Sequence, residues 1–209
     1  MYMRDHGMIL AISMILLVFA SGQKDTIDQS LAKGSELIQK EEYTSSLSFF
    51  DEVISLDPEN SQAWNGKGLA LQNLGRYDES ITYFDKAIKL NPNYAEAWFN
   101  KGWSKVELDQ YEAAMECLRK ALEINSSYCD AANDLGVANY YSRNYTDAEK
   151  WYKKALELCP ERGETWYNLG LLYLDMGQTD DANDAYIMSR KFGFEGPEEC
   201  ERKFQAFEQ

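Results

Sequence analysis

Ser61 to Tyr94 reads SQAWNGKGLALQNLGRYDESITYFDKAIKLNPNY. These 34 residues predict two short amphipathic helices, about 63–74 and 77–90. Gly75 supplies the turn between them, because it takes the positive φ that ends a helix without a side-chain clash. Asn91-Pro92 stops the second helix, since proline disfavours a helical residue before it. In that helix Ile81, Phe84 and Ile88 recur at helical spacing, with the small Ser80 and Ala87 beside them. A single pair of this kind cannot bury its apolar face alone, so similar pairs must stack on it.

The rest of the chain provides them. A shift of 34 residues carries Gly68 onto Gly34, Gly102, Gly136 and Gly170. Tyr77 falls in a column with Tyr43, Tyr111 and Tyr145. Phe84 aligns with Phe50, Leu118, Tyr152 and Tyr186, and Ala87 with Val53, Ala121, Ala155 and Ser189. Pro92 aligns with Pro58 and Pro160. A fixed period of this size is the mark of a solenoid.

These columns resemble the tetratricopeptide repeat, whose unit carries W-x₂-L-G-x₂-Y, then A-x₃-F, then P. The best copy is Trp166-x₂-Leu169-Gly170-x₂-Tyr173 followed by Ala182-x₃-Tyr186. The resemblance covers five repeats, 27–60, 61–94, 95–128, 129–162 and 163–196. It implies an all-α helix–turn–helix solenoid, wound as a right-handed superhelix. Several positions depart from the pattern. Lys33, Lys67 and Lys101 stand where leucine is usual, so their stems must pack while their amines reach water. Lys105 and Asn139 replace an apolar residue. Ser126 and Phe194 replace the closing proline. At the fourth place repeat 1 has Ser30 and repeat 4 has Ala132 instead of a large aromatic, which predicts looser packing in repeat 4.

Residues 1–22 stand outside the array. Met8 to Ala20 is uncharged over 13 residues, and as a helix would span about 20 Å against the ~30 Å hydrocarbon core. Small residues follow at Ala20, Ser21 and Gly22. This layout predicts a secretory signal peptide or, failing cleavage, a short membrane anchor. Either implies an exported protein, secreted or membrane-anchored. Gln23 to Thr26 is expected to be a polar link, and 23–196 one folded domain of five repeats. Residues 197–209 are expected to form a capping helix. Pro197 suits its start, Glu198 and Glu199 suit its dipole, and Cys200, Phe204 and Phe207 form its apolar stripe.

Composition narrows the function. A formal net charge of −14 repels phosphate backbones and anionic lipid, so nucleic acid is excluded as a partner. The single histidine, His6, lies in the leader, leaving the rest of the chain without the commonest general base and metal ligand. There is no CxxC, HExxH, P-loop or GxSxG. The sequence therefore predicts no catalytic residues, no metal and no cofactor. Of four cysteines, Cys129 opens repeat 4 and Cys159 closes it, which puts both at one end of a helix pair. A disulfide and a pair of free thiols both remain open on this reading.

In the tetratricopeptide family the first helix of each repeat lines a concave groove. The resemblance places the second, fifth, ninth, twelfth and thirteenth residues there. Repeat 3 then contributes Glu96, Phe99, Trp103 and Val106, repeat 4 Asp130, Val137, Tyr140 and Tyr141, and repeat 5 Glu164, Tyr167, Leu171 and Leu174. This is an aromatic trough flanked by carboxylates. Asn100 and Asn168 match the asparagine column of family members that clamp a chaperone's carboxylate tail. The cations of that clamp are missing, so both asparagines are expected to hold neighbouring backbone. The sequence predicts a non-catalytic scaffold whose groove takes a protein or peptide with apolar anchors and basic residues. The alternative is a self-associating structural component of a cell-envelope complex.

Overall fold

A computed structural model describes residues 2–197, 202 and 204, with side chains from residue 21 onward. Among the described residues there are ten helices and no strands. They are α1 (Tyr2–Gln39), α2 (Tyr43–Leu56), α3 (Ser61–Asn73), α4 (Tyr77–Leu90), α5 (Ala95–Glu107), α6 (Tyr111–Ile124), α7 (Cys129–Tyr141), α8 (Tyr145–Leu158), α9 (Gly163–Asp175) and α10 (Thr179–Lys191). The repeat boundaries fall between these helix pairs as the 34-residue period requires. The chain divides into two compact units, Met1–Pro92 and Asn93–Gln209, where the sequence reading treats the array as one domain.

In the first unit α1 packs on α2, α2 on α3 and α3 on α4. The expected polar link at 23–26 is instead part of α1. None of Gln23, Lys24, Asp25 and Thr26 breaks a helix, and Gln23 Nε2 donates to the Leu56 carbonyl at the end of α2 (2.8 Å). That bond ties the segment to the repeat. No helix among the described residues is long and apolar enough to cross a membrane.

The second unit repeats the arrangement through α5 to α10, each helix touching the next. Side chains of the second helices lie against the glycines of the first. A Cβ added to Gly34 would meet the Phe50 ring at 2.8 Å, one at Gly68 the Phe84 ring at 2.6 Å, one at Gly102 Leu118 at 2.8 Å and one at Gly136 the Tyr152 ring at 2.4 Å. Phe50, Phe84, Leu118 and Tyr152 are each at most 2% exposed. The glycine column of the sequence is therefore a set of sockets, and any larger residue would push the helices of a repeat apart.

Each turn between the helices of a repeat puts its fifteenth residue in the left-handed region. Gly75 and Gly177 have φ of 72° and 75°, but Glu41, Asp109 and Arg143 reach 61°, 57° and 59° without glycine's freedom. The left-handed conformation costs an ordinary residue about 1–2 kcal/mol. Closure of the turn and burial of both flanking helices hold it there.

Repeat 4 is not loosely packed. Ala131, Ala132 and Leu135 are fully buried, and Trp151 of α8 packs against the cluster containing Ala131 and Leu135. The bulk missing at position 132 comes from the second helix instead. Cys129 and Cys159 are disulfide-bonded with their Cα atoms 6.1 Å apart, which joins the start of α7 to the end of α8. Cys117 is a buried thiol outside this disulfide. Cys200 and Phe207 of the expected capping helix lie outside the described residues. Arg202 and Phe204 are helical, and Phe204 is 1% exposed with its ring 4.3 Å from that of Tyr186.

Two substitutions probe these constraints in opposite directions. Gly136→Ala should cost about 1–3 kcal/mol, because the Tyr152 ring has no room to retreat. Arg143→Gly should stabilise by about 0.5–1 kcal/mol by relieving the turn. Denaturant unfolding at constant slope measures both. A neutral Gly136→Ala would show that the ring does not rest on the glycine.

Candidate functional site

α5, α7 and α9 are the first helices of repeats 3, 4 and 5. α5 touches α7 and α7 touches α9, so their matching faces adjoin. Along this face Phe99, Trp103, Val106, Val137, Tyr140, Leu171 and Leu174 are half-buried, and Tyr141 is 58% exposed. Phe99 leans on Tyr128 with ring centroids 4.8 Å apart. Tyr141 stacks on Tyr111 at 5.6 Å and receives the edge of Tyr140 at 5.3 Å. Tyr140 donates its hydroxyl to Asp175 Oδ2 at 2.5 Å. Burial and that carboxylate push its phenol above the ordinary range. Tyr111 bonds Asp109, and this pairing raises its phenol to about 12. Both tyrosines therefore stay neutral hydrogen-bonding aromatics across the physiological range.

The end of the trough differs from the sequence reading. Tyr167 is not open. It is 2% exposed, with Phe194 at 5.4 Å and Phe204 at 5.5 Å between ring centroids. The backbone of Gly196 passes so close that a Cβ there would meet the Tyr167 ring at 1.9 Å. The chain's own C-terminal segment covers this position, which a repeat-by-repeat reading of first helices does not reveal.

The carboxylate rim is also partly used. Arg162, just before α9, bridges Asp130 and Glu164, the latter at 2.8 Å. Glu96 is exposed. Arg162 escaped the sequence reading because it lies in the connecting turn and not at any of the five groove places. Asn168 donates to Asn133 Oδ1 (3.3 Å), and Thr165 donates to the same atom (2.9 Å). Asn168 therefore joins α9 to α7 through a side chain and not through backbone. Asn100 is buried.

Asp134 is a further residue that the sequence reading missed. It accepts from Asn133 Nδ2 at 3.1 Å. Burial raises its carboxyl to about 7, and the negative charges of Glu164 and Glu107 add to the shift. An aspartate one place beyond a groove position gives no sign in sequence that the fold will desolvate it. Among the described residues no group of three or more His, Cys, Asp or Glu side chains is arranged to hold a metal ion. The face offers aromatic surface, hydroxyls and negative charge, which is the chemistry of recognition.

Models of the tetratricopeptide repeat match residues 61–94, 95–128 and 127–191. A model of the protein prenyltransferase alpha subunit repeat matches 43–74, which frames α2 and α3 in a shifted register. No curated protein shows significant similarity to the chain. Solved structures do match. The 41-end fragment of MamA from Desulfovibrio magneticus RS-1 is 22% identical, with 80% of this chain and 95% of that one covered at a TM-score of 0.71. Pseudomonas aeruginosa pilF is 17% identical, with 90% and 86% covered at 0.80. YrrB, described as a TPR protein with an unusual peptide-binding site, is 19% identical, with 86% and 91% covered at 0.65. At these identities the likeness is one of fold.

Asp134 makes the stability of the fold depend on pH. Its folded value of about 7 stands well above the ordinary aspartate value of 3.8, so folding takes up a proton between the two. The neutral form suits the fold; its contribution is complete below the unfolded value and is lost as pH rises toward 7. Asp134→Asn keeps an acceptor for Asn133 and removes the charge. It should raise the melting temperature at pH 8 by at least about 2 °C, with the gain fading by pH 4. An equal effect at both pH values would contradict this assignment.

Proposed function

Because the chain belongs to the tetratricopeptide repeat family, we propose that it is a non-catalytic scaffold whose α5–α7–α9 face binds a segment of another protein. The observation that carries this reading is the run of half-buried and exposed aromatics on adjoining first helices, from Phe99 and Trp103 to Tyr140 and Tyr141. Aromatic anchors ringed by polar groups concentrate binding energy at protein interfaces. The ligand suited to it carries apolar side chains for Trp103, Val137, Leu171 and Leu174. Lysine or arginine in that ligand suits the acidic surroundings, in a chain whose net charge is −14. Glu96 and Asp175 are carboxylates of this face that lie outside the Arg162 bridges. Tyr167 contributes by supporting α9 and not by direct contact. YrrB's described peptide-binding site agrees with the use of this fold for peptides.

The same proposal places the protein outside the cytoplasm, translocated by residues 1–22 as a cleaved signal or an anchor. The Cys129–Cys159 disulfide supports that placement, because such bonds persist in oxidising compartments. Protein isolated from its native source should then begin after about residue 20 or remain in the membrane fraction. Under denaturing conditions Cys129 and Cys159 should resist alkylation until they are reduced. A soluble cytosolic form with Met1 intact and four thiols would end this part of the proposal.

Binding separates from folding in three variants. Tyr141→Ala and Trp103→Ala should shift stability by no more than about 1 kcal/mol, while each weakens partner binding by about 2 kcal/mol. Tyr167→Ala should cost about 3–5 kcal/mol of stability, as for a buried aromatic. Affinity capture with the chain from residue 23, followed by calorimetry on the captured protein, measures both quantities. Unchanged affinity in the first two variants would remove the groove from the account. A mass that rises with concentration would favour self-association instead.

A further inference from the structure

A second site lies on a different stripe of α9. Trp166, Leu169 and Tyr173 of this helix, with Leu156 of α8 and Ala185 of α10, floor a cavity of about 510 Å³. The volume is that of an ordinary ligand pocket. Its rim carries Glu157, Asp181 and Asp184 against the single cation Lys153. Lys153 is already engaged by Glu149 at 2.7 Å, and Glu149 also accepts from the Tyr173 hydroxyl at 3.0 Å. The rim is therefore negative.

The array itself shows what such a place holds. Repeat 2 presents the same indole, seated in the same way. Trp64 Nε1 donates to the Pro58 carbonyl at 2.8 Å, as Trp166 Nε1 does to the Pro160 carbonyl at 2.8 Å. In repeat 2, however, Tyr83 stacks on Trp64 with centroids 5.9 Å apart and 27° between planes. The Lys67 ammonium lies 4.7 Å from the Tyr83 ring centroid and pairs with Asp51. The residues of repeat 5 at the places of Tyr83 and Lys67 are Ala185 and Leu169. The ring and the cation are both missing, and Ala185 and Leu169, which stand in their places, line the cavity. Repeat 4 reverses the pair, with Ala132 on the first helix and Trp151 on the second. Repeat 3 sets Trp98 against Cys117, and there Lys101 lies 5.6 Å from the indole.

We propose that the α8–α9–α10 cavity is a second docking site, which takes an aromatic side chain flanked by lysine or arginine from a partner protein. The incoming ring stacks on Trp166 as Tyr83 stacks on Trp64. The flanking cation meets Asp181 and Asp184 on the rim; the place of Asp51 is taken here by Lys153, which Glu149 engages. The site is separate from the α5–α7–α9 face, so one chain can engage two segments and gain avidity from both.

The test follows the five tryptophan indole N–H signals of the full chain by NMR during titration with acetyl-Gly-Phe-Arg-Lys-Gly-amide. A saturable shift at Trp166 is expected, with little response to the same peptide carrying Ala in place of Phe. Ala185→Tyr should weaken binding at least about ten-fold by rebuilding the Tyr83 arrangement from within. Asp184→Lys, on the exposed rim, should weaken it and reduce its salt dependence whether or not Ala185→Tyr folds well. Trp103→Ala should leave the Trp166 response unchanged, which separates failure here from failure of the groove reading. No saturable shift at Trp166, an equal shift with the alanine peptide, or undiminished binding to Asp184→Lys would each overturn the proposal.

Discussion

The structure depends on one contact repeated along the chain, a large side chain of the second helix pressed onto a glycine of the first. Phe50, Phe84, Leu118 and Tyr152 all sit closer to their glycines than a Cβ would allow. This draws the two helices of each repeat together and fixes which stripe of the first helix is consumed by packing. What remains on α5, α7 and α9 is the stripe bearing Phe99, Trp103, Val137, Tyr140, Tyr141, Leu171 and Leu174. The face proposed for recognition is thus a by-product of the socket geometry.

Repeat 5 shows what the contact demands at the end of an array. A Cβ added to Gly170 would meet the ring of Phe204 at 3.1 Å, and this ring stacks on Tyr186 and reaches Tyr167. The last repeat borrows its covering ring from the segment that follows it. Closing the end of the core in this way also closes the last part of the trough, because the same segment carries Phe194 and Gly196 over Tyr167. The cover over Gly170 and the cover over Tyr167 are therefore coupled through one segment.

Much of the fold was legible in the glycine and aromatic columns, because a period of 34 residues reports a physical contact made once per repeat. The turns were legible only at Gly75 and Gly177. Glu41, Asp109 and Arg143 adopt the same backbone with side chains that do not announce it. The bonding of Cys129 to Cys159 was left open by sequence and closed by a Cα separation of 6.1 Å. The site was less legible, since its composition follows from five positions per repeat but its accessibility does not. Tyr167 is covered by Phe194, Gly196 and Phe204, from 27 to 37 places further on. Asp130 and Glu164 are engaged by an arginine in the turn between α8 and α9, and Asp134 is shifted by burial and by the charges of Glu164 and Glu107, both outside its own repeat. Each miss is a tertiary contact between elements that a repeat-by-repeat reading treats separately.

The central claim is that the α5–α7–α9 face, and not the remaining surface, receives the partner. Photocrosslinking with benzoylphenylalanine placed singly at 141, on that face, or at 126, in the exposed turn after α6, tests it most directly. The account predicts a discrete adduct from position 141 that Trp103→Ala abolishes, and none from position 126. Adducts of equal yield from both positions, or an adduct from 141 that survives Trp103→Ala, would contradict it.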